Sequence, residues 1–180
     1  MKKILLMVLL SVAVVSLAVA QSKPAPVAAS PLVSATKMEF GAVKGYITKA
    51  AAELPENLYA YKPTPEVRSF GQLFGHVADS NFELCAAAAG QKPSVKGIEK
   101  AKTAKADLVR LLGESFAYCD KIFDSTSDAD AAKMVNFFGS QQPKLAALAA
   151  NTGHDWEHYG NIVTYMRLNK MVPPSSQPSR

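Results

Sequence analysis

Apolar residues recur at three- and four-residue steps along most of this chain, and strand-like alternation is nearly absent. The spacing predicts a first helix from about Pro31 to Leu54, with Leu32, Met38, Phe40, Val43 and Ile47 as its apolar positions and Pro55 as its stop. The segment PENLYAYKPTPEV that follows carries three prolines and reads as an ordered loop. A second helix opens at Ser69, where Gln72 three residues on completes a capping box, and runs through Phe70, Leu73, Val77 and Leu84 to a glycine stop at Gly90. After a polar loop from Gln91 to about Lys100, a third helix spans about Thr103 to Phe123 on the stripe Leu108, Leu111, Leu112, Phe116 and Ile122. Asp124 to Asp130 is turn-like, and Ala131 to Phe138 is expected to add a short helical piece. The fourth long helix runs from about Pro143 to Met171 and stops at Pro173 and Pro174. The expected class is all-α: a four-helix bundle over residues 32–171.

The two ends of the chain carry different patterns. Lys2 and Lys3 precede an almost wholly apolar run from Ile4 to Val19, and Ala18-Val19-Ala20 supplies the small-x-small pattern of a signal-peptidase site. A membrane anchor is the competing reading. The run is near the lower limit for spanning, and Pro24 and Pro26 follow it without a basic stop-transfer cluster. Residues 1–20 are therefore assigned as a cleaved signal peptide, which predicts an exported protein, periplasmic or extracellular. Residues 21–31 (QSKPAPVAASP) read as a flexible linker, and residues 172–180 as a disordered tail.

Removing the leader changes the charge picture. It leaves 18 basic and 15 acidic residues, a balance that gives no argument for nucleic acid, which calls for a clustered basic face. The lysines between Lys92 and Arg110 are spread over a loop and a helix start, as on a solvated surface. The only cysteines are Cys85 and Cys119. In an exported chain an even count favours a disulfide, and two buried free thiols is the other reading.

The chain has three histidines, His76, His154 and His158. A four-residue offset on a helix is about 40°, so His154 and His158 project from one face about a turn apart. That face also carries Ala147, Asn151, Ile162 and Tyr165, and so points inward. His76 lies on the second helix with Leu73, Ser80, Leu84 and Ala87, again an inward side. Facing helices about 8–10 Å apart let one histidine meet a pair from another helix. Neutral imidazole suits zinc and related ions, and three ligands with an open position is the pattern of a catalytic site. Unrelated core histidines are the plain alternative.

His154-Asp-Trp-Glu-His158 also fits the H-x-x-E-H of inverted zinc proteases. Those enzymes take a third ligand from well downstream, and only 22 residues follow His158. Gln72, Asp79, Ser80, Asn151, Asn161 and Tyr165 are candidates to orient the imidazoles. Cys85 falls about 180° around the helix from His76, away from the site. Trp156, between Gly153 and Gly160, fits a close helix contact, a dimer face or packing within one chain.

GQLFGHVADSN around His76 and GHDWEHYGN around His154 and His158 resemble the DinB superfamily, which includes YfiT-like metal-dependent proteins. The resemblance covers about Leu32 to Met171 and, given the leader, is to an exported branch. It implies an up-down-down-up four-helix bundle, often dimeric, with a three-histidine site for one divalent ion. Relatives in this family include transferases and isomerases in which the metal lowers the pKa of a cofactor thiol. Zinc is the expected ion, with nickel, manganese and iron as alternatives. The expected function is a metal-dependent hydrolase or transferase acting on a small-molecule substrate. A non-catalytic metal-binding or stress-related protein is the second reading. Asp79, Glu83 and Glu157 are the acidic candidates for a general base.

Overall fold

The computed structural model describes residues 30–178. The leader assigned to residues 1–20 and nearly all of the linker at 21–31 lie outside the described residues. The described residues form six α-helices: α1 (Pro31–Glu53), α2 (Phe70–Ala88), α3 (Ile98–Ala101), α4 (Lys105–Asp124), α5 (Asp128–Ala131) and α6 (Lys144–Leu168). One antiparallel pair, β1 (Met134–Phe137) and β2 (Ser140–Pro143), precedes α6.

Local chemistry sets the helix boundaries. Pro31 occupies the first turn of α1, and the carboxylate of Asp128 accepts from the backbone amides of Leu32 and Val33 at 3.1 and 3.0 Å. A side chain 96 residues away thus satisfies two donors that have no partner within the helix. The capping box of α2 forms as expected: Gln72 N donates to Ser69 Oγ at 3.1 Å, and Ser69 N donates to Gln72 Oε1 at 2.9 Å. Gly90, at φ +67°, takes the left-handed position after α2 that a residue with a side chain adopts at a cost.

α2 packs against α4 and α6, and α1 packs against the same two helices, so the four long helices share one core. Cross-links fix their directions. Lys105, at the start of α4, donates to Ala52 O and Leu54 O at the end of α1, while Lys37 near the start of α1 pairs with Asp124 at the end of α4. Those two helices therefore run antiparallel. A disulfide between Cys85 and Cys119 joins the C-terminal ends of α2 and α4, which run parallel. Phe70, at the start of α2, meets Tyr165 near the end of α6 with ring centroids 5.4 Å apart, so this pair is antiparallel. Between them lie the fully buried Phe40, Ile47, Phe74, Leu112, Phe116, Phe123, Leu148 and Ile162.

Several expectations need correction. Met38 is 69% exposed, because two residues from Phe40 is about 200° around a helix and Phe40 takes the core side. Leu32 is also exposed, and Val33 fills the inward position of the first turn. The expected helical piece from Ala131 to Phe138 is instead half strand, Met134–Phe137, with turns on either side. α5 ends at Ala131, and β1 pairs with β2 in the register Met134↔Pro143 to Phe137↔Ser140. The reversal is a two-residue loop, Phe138 and Gly139, with φ +47° and +83°, the paired positive values that match strand twist in a tight hairpin. Asn136 Oδ1 accepts from Gly139 N at 3.0 Å and braces the turn.

The tail expected to be disordered is folded back as far as it is described. Pro174 is buried, Tyr159 Oη donates to Ser175 Oγ at 2.8 Å and accepts from Ser175 N at 2.9 Å, and Gln177 Nε2 donates to Glu53. Trp156 packs within the chain, 6.0 Å from both Tyr46 of α1 and Tyr159.

Candidate metal centre

His76 enters from α2, and His154 and His158 from α6, which packs alongside it. The three Nε2 atoms converge: His154 Nε2 lies 3.2 Å from His76 Nε2 and 3.0 Å from His158 Nε2. One ligand nitrogen from each residue falls within 4.8 Å of the others. The helical offset read from the sequence puts His154 and His158 on one face, and the packing of α2 on α6 brings His76 to them.

Neutral rings meeting nitrogen to nitrogen cannot all be satisfied as hydrogen bonds, because one N–H serves one acceptor. Around a tetrahedral ion with bonds of about 2.0–2.1 Å, neighbouring ligand nitrogens stand about 3.3 Å apart. The observed separations are close to that value, so these three histidines could hold a metal ion. Electrostatics agree. Burial, followed by the neighbouring His154, His76 and Arg68, pushes His158 down to about 3, and burial with the adjacent His76 lowers His154. Both rings stay neutral near pH 7 and keep a lone pair for a cation.

The outer ring nitrogens show how the site is braced. His76 Nδ1 lies 3.0 Å from Glu99 Oε2, and Glu99 Oε1 accepts from Arg68 Nε at 2.9 Å. Glu99 belongs to α3, a single turn whose first amides, Ile98 N and Glu99 N, donate to the Asp79 carboxylate at 2.9 and 3.0 Å. α3 can lie this close because position 75 is glycine. A Cβ there would stand 2.7 Å from Glu99 Cα and 3.0 Å from Glu99 N. The sequence GHVAD therefore places a gap (Gly75), a ligand candidate (His76) and a cap acceptor (Asp79) within about one and a half turns of α2. His158 Nδ1 has the Asn161 amide 3.4 Å away. His154 Nδ1 is buried and has no partner among the described residues.

Of the residues expected to orient the rings, Asn161 touches one. Asp79 acts at one remove through α3, and Gln72 is spent in the α2 cap. Tyr165 Oη donates to Arg68 O at 3.1 Å. Asn151 belongs instead to a fully buried polar cluster with Asn81, Ser115 and Asp155. With its amide nitrogen toward α6, Asn81 donates to Asp155 Oδ2 at 3.3 Å and to Asn151 Oδ1 at 3.1 Å, and its oxygen accepts from Ser115 Oγ at 3.2 Å. Burial raises Asp155 well above the usual carboxylate range. Glu99 and Arg68 were not foreseen. No periodic signal marks a glutamate on a one-turn helix 23 residues from its histidine. Cys85, placed away from the site, is bonded to Cys119.

Fold and site together define a mainly helical protein with a histidine cluster able to take a metal ion. The family model for the DinB superfamily matches residues 39–162, and the chain belongs to that superfamily. Among curated proteins none matches the sequence. Similar solved structures include a DinB-like protein from Bacillus cereus ATCC 10987, at 14% identity and TM-score 0.67, covering 78% of this chain and 95% of that one. A DinB-like protein from Bacillus subtilis has 20% identity and TM-score 0.64, with 82% and 99% covered. A conserved protein from Enterococcus faecalis has 15% identity and TM-score 0.62, with 76% and 95% covered. At these identities the likeness speaks to fold.

Proposed function

We propose that this chain is an exported DinB-superfamily protein that holds one divalent ion on His76, His154 and His158 and acts as a metal-dependent hydrolase or transferase. The observation that carries the reading is the meeting of three Nε2 atoms, His154 lying 3.2 Å from His76 and 3.0 Å from His158, with burial holding the His154 and His158 rings neutral. Three nitrogen ligands with an open fourth position favour zinc, and nickel, manganese or iron are the alternatives. A divalent ion held there supplies Lewis acidity, which lowers the pKa of water or a thiol at the open position.

The chain's own residues prepare that position. Glu99 holds His76 by Nδ1, so that Nε2 faces inward with its lone pair. Asn161 Nδ2, 3.4 Å from His158 Nδ1, is the polar group beside the outer nitrogen of that ring. Arg68 keeps the Glu99 carboxylate in place and adds positive charge beside the site.

Export rests on the leader pattern and is supported by the disulfide, a bond characteristic of oxidising compartments. The helix directions support the up-down-down-up four-helix bundle. A homodimer is the proposed assembly by analogy with the family, to be tested by light scattering.

A non-catalytic metal-binding protein is the second reading. It is favoured by the commitment of Asp79 to the α3 cap and of Glu99 to His76 and Arg68, which leaves neither as a free general base. A screen of the zinc-loaded protein against esters, amides and electrophile–thiol pairs separates the two. Turnover that disappears in a folded His76→Ala supports the enzyme. Full zinc occupancy without turnover supports the binder.

A further inference from the structure

A cavity of about 550 Å³ opens beside the triad, between the loop before α2 and the end of α6. Its wall includes Lys62, Arg68, Gln72, His158, Asn161 and Tyr165. The volume falls in the range of small-molecule sites, about 300–1,000 Å³.

Arg68 is pinned at two points: its Nε donates to Glu99, and its carbonyl accepts from Tyr165. The two Nη groups make no hydrogen bond among the described residues, and they form the planar fork that fits a carboxylate through two parallel bonds. Lys62 is exposed on the same wall and has no ion pair among the described residues. Two carboxylates share the wall. Glu99 is already bound to Arg68 and His76, and Glu66 stands exposed.

We infer that this cavity receives a small molecule bearing a carboxylate, which Arg68 grips through its Nη fork and Lys62 attracts, and which is thereby oriented with its remainder toward His158. This names a substrate class for the proposed metal site and rests on that reading only for what happens beyond His158. The receptor itself is built of Arg68 and Lys62. Asn161 and the Gln72 amide nitrogen, which the α2 cap leaves free, add neutral polar groups to the wall.

The test is calorimetric titration of the full mature protein, zinc-loaded and chelator-stripped, with succinate, succinamide and inorganic phosphate. Zinc content is measured in the same samples. Succinate is expected to bind at least 10-fold more tightly than succinamide and more tightly than phosphate. Lys62→Gln, which touches no histidine, is expected to weaken succinate about 5-fold, and Arg68→Gln at least 10-fold. Equal affinity for succinate and its diamide, stronger binding of phosphate, absence of succinate binding, or unchanged affinity in both variants overturns the inference. Zinc uptake with none of the succinate discrimination sinks the carboxylate receptor alone. Discrimination that depends on Arg68 and Lys62 in a protein that takes up no zinc sinks the metal reading alone.

Discussion

Gly75→Ala offers a sharp perturbation of the candidate centre, because it adds one methyl group at a place of known clearance. The new Cβ would stand 2.7 Å from Glu99 Cα and 3.0 Å from Glu99 N, both backbone atoms that cannot rotate away. α3 must therefore move off α2 by several tenths of an ångström. That displacement strains the bonds from Ile98 N and Glu99 N to Asp79 and the contact between Glu99 and His76. Overpacking of this kind costs about 1–3 kcal/mol. Loss of the carboxylate behind a ligating histidine typically weakens metal binding by about 10–100-fold. Gly113→Ala is the control: that glycine is exposed in α4 with nothing within 4 Å of its added Cβ, so helix propensity alone should stabilise by up to about 1 kcal/mol. Urea unfolding of metal-free protein and chelator-competition titration with zinc measure the two effects separately. Gly75→Ala with wild-type stability and wild-type zinc affinity would refute the claim that α3 is seated tightly enough to set His76.

Other outcomes follow from the same structure. Reducing or deleting the Cys85–Cys119 bond, which spans 34 positions, is expected to lower stability by about 3–4 kcal/mol, read as a shift in the urea midpoint of Cys85→Ser/Cys119→Ser. The native protein should show no thiol to a colorimetric reagent until it is unfolded and reduced. Burial raises the pKa of Asp155, so its folded value lies above the unfolded one. Its contribution is present below about pH 4 and is lost as pH rises. Asp155→Asn should match wild type at pH 4 and have the higher urea midpoint at pH 8, and the reverse ordering counts against a neutral Asp155. His158 shifts the other way, from its ordinary value down to about 3. Metal-free protein should therefore lose stability as pH falls from about 6.5 toward 3, and His158→Gln should flatten that limb of a pH series of melts.

The long helices were legible because their signals are local. Ser69 and Gln72 cap α2 within one turn, Pro55 stops the run of α1, and Leu108, Leu111, Leu112 and Phe116 trace the buried side of α4. The triad was legible for a similar reason, since the four-residue step from His154 to His158 fixes their common face. What escaped depends on contacts distant along the chain. β1 and β2 have four residues each, too short for alternation to stand out, and their turn places Phe138 at a positive φ that its residue type does not announce. Glu99 reaches His76 only because Asp79 caps α3 and Gly75 makes room, a three-part fit invisible to periodicity. The tail PPSSQPSR has the composition of a disordered end, and a single tyrosine, Tyr159, is enough to hold Ser175 against α6.

The central claim is that three histidines from two helices form one metal centre. The most direct measurement is metal content by elemental mass spectrometry on purified full-length protein, alongside His76→Ala, His154→Ala and His158→Ala. The account predicts about one divalent ion per chain in the wild type, lost in each variant while the helical circular-dichroism signal persists. A wild-type protein that stays metal-free after incubation with zinc, nickel, manganese and ferrous iron, and whose melting a chelator does not change, would contradict it.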